Sequence, residues 1–139
     1  MAFFDNTRKP TGLGGRIMVS MMNIGHRSLA DWGLKYLKLN NDANMLDCGC
    51  GGGANIKKLL KLCPNGFVKG IDYSPVSVAK ANKVNRGAVS IHRCVVLQGN
   101  VADMIFASEW FDAVTAFETV YFRPDMLQSF KEVYRVLKS

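Results

Sequence analysis

Short apolar runs alternate with stretches of helical spacing over most of the chain. Asn44-Met45-Leu46-Asp47 has strand length and closes on a carboxylate, and Ile56, Leu59, Leu60 and Cys63 then recur at i, i+3, i+4 and i+7, as on an amphipathic helix. Pro64-Asn65-Gly66 turns the chain, and Phe67-Val68-Lys69-Gly70-Ile71-Asp72 reads as a second strand, again closed by an acid. Ser74-Pro75 supplies an N-cap and a first-turn proline for a helix whose apolar side is expected at Val76, Ala79 and Val84. A third strand follows at Cys94 to Leu97 and a fourth over Phe111 to Phe117. Pro124 then opens a helix with Met126, Phe130, Val133, Tyr134 and Leu137 on one face.

Upstream, residues 1–15 are polar and glycine-bearing and read as an entry segment, while Arg16 to Leu39 reads as helical with a break at Asn23-Ile24-Gly25. The chain therefore divides into an N-terminal segment with capping helices, residues 1–40, and an α/β domain, residues 41–139. Strands alternating with helices predict a doubly wound, mostly parallel sheet with helices on both faces. With strands in the order 3-2-1-4, the fourth is expected to be an edge whose unpaired backbone would invite self-association with another copy.

Composition narrows the picture. At 139 residues the chain fits one domain, and 48% hydrophobic content suits a globular protein. No apolar run approaches the roughly 20 residues of a membrane-spanning helix, and the first residues lack a secretory plan, so no membrane partner and a cytoplasmic location are expected. The net charge of +7 is uneven: residues 1–99 carry 14 basic and 5 acidic groups, residues 100–139 carry 4 and 6. Lys57, Lys58, Lys61, Lys80, Lys83 and Arg86 fall on two expected helices as a solvated face, and without aromatic interleaving a nucleic-acid partner is not expected. Cysteines 48, 50, 63 and 94 form no Cys-x-x-Cys pair and are read as reduced thiols, with no metal site.

The chemistry gathers at one edge. A helix over residues 54–63 climbs about 15 Å at 1.5 Å per residue, and the return strand covers about 20 Å at 3.3 Å per residue. Asp47 and Asp72 should therefore end adjacent parallel strands at the same carboxyl edge, where open α/β sheets bind ligands. Between them lies Asp47-Cys48-Gly49-Cys50-Gly51-Gly52-Gly53, in which Gly49, Gly51 and Gly53 permit unusual dihedrals and close approach of a ligand. With Ala54 the loop also satisfies a dinucleotide fingerprint, and it lacks the Gly-Lys-Ser/Thr of a phosphate loop. Asp47 discriminates: its carboxylate opposes a pyrophosphate and favours a ligand bearing an ammonium group.

Leu46-Asp47-Cys48-Gly49-Cys50-Gly51-Gly52-Gly53 resembles the first motif of class I S-adenosylmethionine-dependent methyltransferases. Gly70-Ile71-Asp72-Tyr73-Ser74 is similar to that family's ribose-binding segment and Gly99-Asn100-Val101 to its adenine-contacting turn. Phe111-Asp112-Ala113-Val114 is similar to its fourth strand and Tyr134-Arg135-Val136-Leu137-Lys138 to the helix end after it. The resemblance covers residues 44–138 and implies a Rossmann-like fold that binds S-adenosylmethionine. It implies Asp47 near the methionine ammonium, Asp72 on the ribose, Tyr73 and Val101 bracketing the adenine, and Asn100 accepting from the adenine amino group where the family often has aspartate. Against the family's plan, the sheet reads as truncated after the fourth strand and its helix.

Glu118 follows the fourth strand and is expected to face the cofactor. Tyr121 and Phe122 read as core, and His26 as a packing or surface histidine, which leaves no catalytic residue assigned. Methyl transfer from a sulfonium is an in-line displacement that near-attack binding can promote without a base. The expected activity is methylation of a small molecule, with a nicotinamide-dependent oxidoreductase and a non-catalytic interaction or nucleic-acid module as the competing readings.

Overall fold

Each apolar run of the α/β part becomes a strand, and each helical stretch between them a helix on one face of the sheet. The computed structural model describes residues 3–5, 16–20, 40–116 and 125–138, the first two segments as backbone only. In chain order the elements are β1 (Phe3–Asp5), β2 (Arg16–Ser20), β3 (Asn44–Cys48), α1 (Ala54–Leu62), β4 (Phe67–Asp72), α2 (Pro75–Val84), α3 (Arg86–Ser90), β5 (Cys94–Gln98), β6 (Ala113–Ala116) and α4 (Met126–Val136).

Among the described residues the sheet has six strands in the order β1-β2-β6-β3-β4-β5, parallel throughout except for β1 against β2. Its β5-β4-β3-β6 portion is the expected 3-2-1-4 arrangement. Because successive strand residues face opposite ways, Met45 and Val68 pack with Ile56, Leu59 and Ala81 on the α1–α2 face. Leu46, Ile71 and Val114 pack with Phe111, Val133 and Leu137 on the α4 face. Apolar burial on both faces is what a parallel sheet requires.

Two expectations at the N-terminal side fail. Arg16–Ser20 is a strand, not a helix, and it pairs with β6 from Arg16↔Ala113 to Val19↔Ala116. The fourth strand is consequently no edge, and the self-association expected through it loses its basis. The reason is that a short apolar run fits either element in isolation, whereas the open ladder of β6 offers backbone hydrogen bonds that a local helix does not. The expected helices over residues 21–39 lie outside the described residues.

The packing faces of two helices also differ from expectation. On α2, Val76 and Val84 are exposed, as is Ala79, while Ala81 is fully buried and Val78 half-buried. A small residue faces inward because α2 lies close to Gly53, whose Cβ, if it had one, would stand 2.7 Å from the Ala81 Cα. On α4, Val133 and Val136 are buried and Tyr134 is turned outward.

Polar side chains finish the ends and the edge. Ser74 caps α2 by accepting from the Ser77 N–H at 3.3 Å. The Arg93 guanidinium donates to the carbonyls of Leu60 (3.1 Å), Cys63 (2.7 Å) and Gly66 (3.1 Å), closing the C-terminal end of α1. Asn82 receives the Val96 N–H and donates to the Val96 carbonyl, covering part of the outer side of β5. Among the described residues no helix is long and apolar enough to cross a membrane.

Candidate functional site

The glycine loop leaves β3 and enters α1 with Gly49, Gly51 and Gly53 all at positive φ, +67°, +54° and +89°. L-residues with a Cβ avoid this region, which is why glycine stands at alternate positions of the loop. Asp72, at the end of β4, secures the loop: its Oδ2 accepts the Gly51 N–H and its Oδ1 the Ser74 N–H, both at 2.8 Å. The Asn85 amide, buried at the end of α2, donates to the Gly53 carbonyl at 3.0 Å and holds the loop's far end. Gly51 itself borders open space, since a Cβ there would meet nothing within 4 Å.

The loop's amides are largely spent on the protein. Gly49 and Cys50 N–H share the Ile71 carbonyl, Gly51 N–H goes to Asp72, and Gly53 N–H to the Cys50 carbonyl. A phosphate-binding loop instead turns its N–H groups toward the ligand. This arrangement offers the ligand carboxylates and bare backbone.

Asp47 is 1% exposed and stands opposite Thr115 in the register of β3 and β6. The Thr115 hydroxyl donates to its Oδ1 at 2.9 Å, while Oδ2 is buried with no hydrogen-bond partner among the described residues. Burial pushes the carboxyl up to about 7, opposed by the Thr115 hydrogen bond and reinforced by the nearby charge of Asp72. An orphaned carboxylate oxygen in an apolar setting is an expensive feature that a cationic donor would relieve.

Of the other residues singled out from sequence, Tyr73 lies just beyond β4 with its side chain 75% exposed, open to a ligand. Asn100 is exposed at the start of a tight turn and accepts the Ala102 N–H at 2.9 Å, so its carbonyl is partly engaged in holding that turn. Val101 is not on an open face: it is 3% exposed and packs with Ile71, Met104 and Phe106, anchoring the turn rather than offering its side chain. Glu118, Tyr121, Phe122 and His26 lie outside the described residues.

Thr115 and Asn85 escaped the sequence reading. A lone hydroxyl within Ala113-Val114-Thr115-Ala116 was the available signal for the first; nothing local marks the second. The four thiols are all buried, and burial raises the pKa of each. Among the described residues no group of three His, Cys, Asp or Glu side chains gathers as a metal set.

Comparison with known proteins bears on this geometry. A family model described as "Methyltransferase domain" matches residues 46–139. Cycloartenol-C-24-methyltransferase of Arabidopsis thaliana is 32% identical over 94 residues, 68% of this chain and 28% of that protein. Demethylmenaquinone methyltransferase of Listeria welshimeri is 29% identical over 106 residues, 76% of this chain and 44% of that protein. The chain thus spans less than half the length of these curated relatives. Among solved structures, geranyl diphosphate C-methyltransferase from Streptomyces coelicolor shares the fold with a TM-score of 0.72 at 21% identity, covering 81% of this chain and 42% of that one.

Proposed function

The chain belongs to the class I S-adenosylmethionine-dependent methyltransferase family, and from that premise we propose that it binds S-adenosylmethionine at the carboxyl edge of β3, β4 and β5 for methyl transfer to a small-molecule acceptor. The orphaned Oδ2 of Asp47 carries the reading, because the amino-acid end of this ligand brings the ammonium donor that such an oxygen lacks. The glycine loop adds support, with Gly51 beside open space and the loop's amides largely turned inward, away from a pyrophosphate.

In this arrangement ionised Asp47 takes the α-ammonium by charge and hydrogen bond. Asp72, whose two oxygens each hold one backbone N–H, has further lone pairs for the ribose hydroxyls. Tyr73 offers an open ring to the adenine, and the Asn100–Val101 turn forms the opposite wall. Gly51 lets the ligand approach the backbone, Gly49 and Gly53 hold the loop's shape at positive φ, and Glu118 joins the set on sequence grounds. When bound, S-adenosylmethionine supplies an electrophilic methyl group on a sulfonium with a good leaving group. The chain's own contribution is to hold that group and the acceptor in line, so no catalytic base is assigned.

The acceptor reading draws on the relatives, which are named for cycloartenol and demethylmenaquinone. Calorimetric titration with S-adenosylhomocysteine and with NADH tests the cofactor reading. S-adenosylhomocysteine is expected to bind and NADH not to; the reverse pattern refutes it.

A further inference from the structure

The turn after β5 is braced from both sides, and one brace comes from a distant helix. On the near side, Gly99 N–H donates to the Asp72 carbonyl at 3.0 Å and the Gln98 amide to the Tyr73 carbonyl at 3.3 Å. On the far side, the partners are Glu132 and Arg135 of α4. Glu132 Oε1 accepts the Met104 N–H at 2.8 Å. Arg135 donates to the Met104 carbonyl at 2.9 Å, the Phe106 carbonyl at 2.8 Å and the Ser108 hydroxyl at 3.2 Å.

The pair is also locked to itself, with Arg135 Nε 2.5 Å from Glu132 Oε2 and Nη2 3.0 Å from Oε1. A guanidinium that serves this many acceptors does so through a rigid fork of donors, which a lysine ammonium cannot reproduce. Between the two braces lie Asn100 to Asp103, closed by Ala102 N–H to Asn100 Oδ1 and Asp103 N–H to the Asn100 carbonyl. Buried Val101 and Met104 fill the space beneath.

We propose that the Glu132–Arg135 pair is a positioning device that sets the Asn100–Asp103 turn at the distance needed to read the adenine edge of the nucleoside. This rests on the cofactor reading above. Its content is that discrimination of the base depends on a side chain of α4 that touches no ligand. Loosening the far brace lets Met104 move and carries the Asn100 side-chain Oδ1 away from the base edge, while Asp47 and Asp72, held by β3, β4 and β6, stay in place.

The test compares the wild-type chain with Arg135→Lys and Glu132→Gln by titration with S-adenosylhomocysteine and with S-inosylhomocysteine, in which a carbonyl replaces the adenine amino group. The expected result is a loss of about tenfold in affinity for the adenine compound, with little change for the inosine compound, so that the preference shrinks. Equal weakening of both, or no change in either, overturns the proposal while the cofactor reading stands. A wild-type chain that binds neither compound overturns the cofactor reading and this inference together. Amide exchange of the ligand-free proteins gives a readout independent of binding. Ala102, Asp103 and Met104 should exchange faster in Arg135→Lys with the β3 and β4 amides unchanged, and unaltered exchange at the three turn amides refutes the brace.

Discussion

Replacing Asp47 by asparagine should stabilise the ligand-free protein at neutral to alkaline pH and weaken the site it belongs to. Burial raises the folded-state carboxyl from its ordinary 3.8 to about 7. The folded chain therefore holds a proton that the unfolded chain releases. The stability this group contributes is fully present below about pH 4 and is lost as the pH rises through about 7. Over that interval the loss is about 1.4 kcal/mol per pH unit, or about 4 kcal/mol in all. Against a typical total of about 5–15 kcal/mol this is a large fraction. The uncharged amide in Asp47→Asn has no such slope. Urea unfolding of wild type and Asp47→Asn at pH 5 and pH 8, without ligand, measures the difference: the variant should gain on the wild type between the two values by about 3 kcal/mol. Parallel pH profiles for the two proteins would refute the buried, half-satisfied carboxylate. Binding should move the other way, with S-adenosylhomocysteine affinity in the variant down by about tenfold or more for the lost charged hydrogen bond.

Further outcomes follow from the same contacts. Wild-type affinity for S-adenosylhomocysteine should fall about tenfold per pH unit below about 7, because Asp47 must shed its proton to meet an ammonium, and calorimetry across pH 5–8 should find Asp47→Asn flat. Thr115→Val removes the hydrogen bond that lowers the Asp47 pKa, so the midpoint of that binding profile should move to higher pH; an unmoved midpoint argues against the Thr115 contact. Gly53→Ala combines φ +89° with a 2.7 Å approach to the Ala81 Cα and should cost more than about 3 kcal/mol in urea unfolding, whereas Gly51→Ala, at φ +54° with no neighbour, should cost only about 1–2 kcal/mol. The buried thiols should resist a thiol reagent at pH 8 in the native state and react on unfolding, and rapid native labelling of Cys48 or Cys50 would contradict their burial.

The strands that frame the site could be read from sequence because their signals are local. Asn44–Cys48 and Phe67–Asp72 are apolar runs bounded by glycine or proline turns, and the ratio of helix rise to strand rise brings Asp47 and Asp72 to one edge. The glycine loop was legible for the same reason, since each glycine answers to its own dihedral. What escaped was set by non-local pairing. That Thr115 faces Asp47 follows only from the register of β6 on β3, across 68 residues. That Arg16–Ser20 is a strand follows only from the ladder of β6. The inward face of α2 was misread because hydrophobic spacing finds large side chains, while the contact with the glycine loop needs a small one, Ala81.

The two acids at the carboxyl edge differ in a way that assigns their tasks. Asp72 is as buried as Asp47, but both its oxygens receive backbone N–H groups, so it holds the loop and Ser74 whether or not a ligand is present. Asp47 has one oxygen served by Thr115 and one without a partner among the described residues. Asp72 adds ribose hydroxyls to a carboxylate already held at both oxygens, whereas Asp47 gains the missing hydrogen bond and a counter-charge at once. The fold thus keeps its loop geometry independent of binding while making the ionisation of Asp47 depend on it. A ligand that brings an ammonium group recovers part of the free energy lost by burying that charge, and its stabilising effect on the chain grows as the pH rises toward 7.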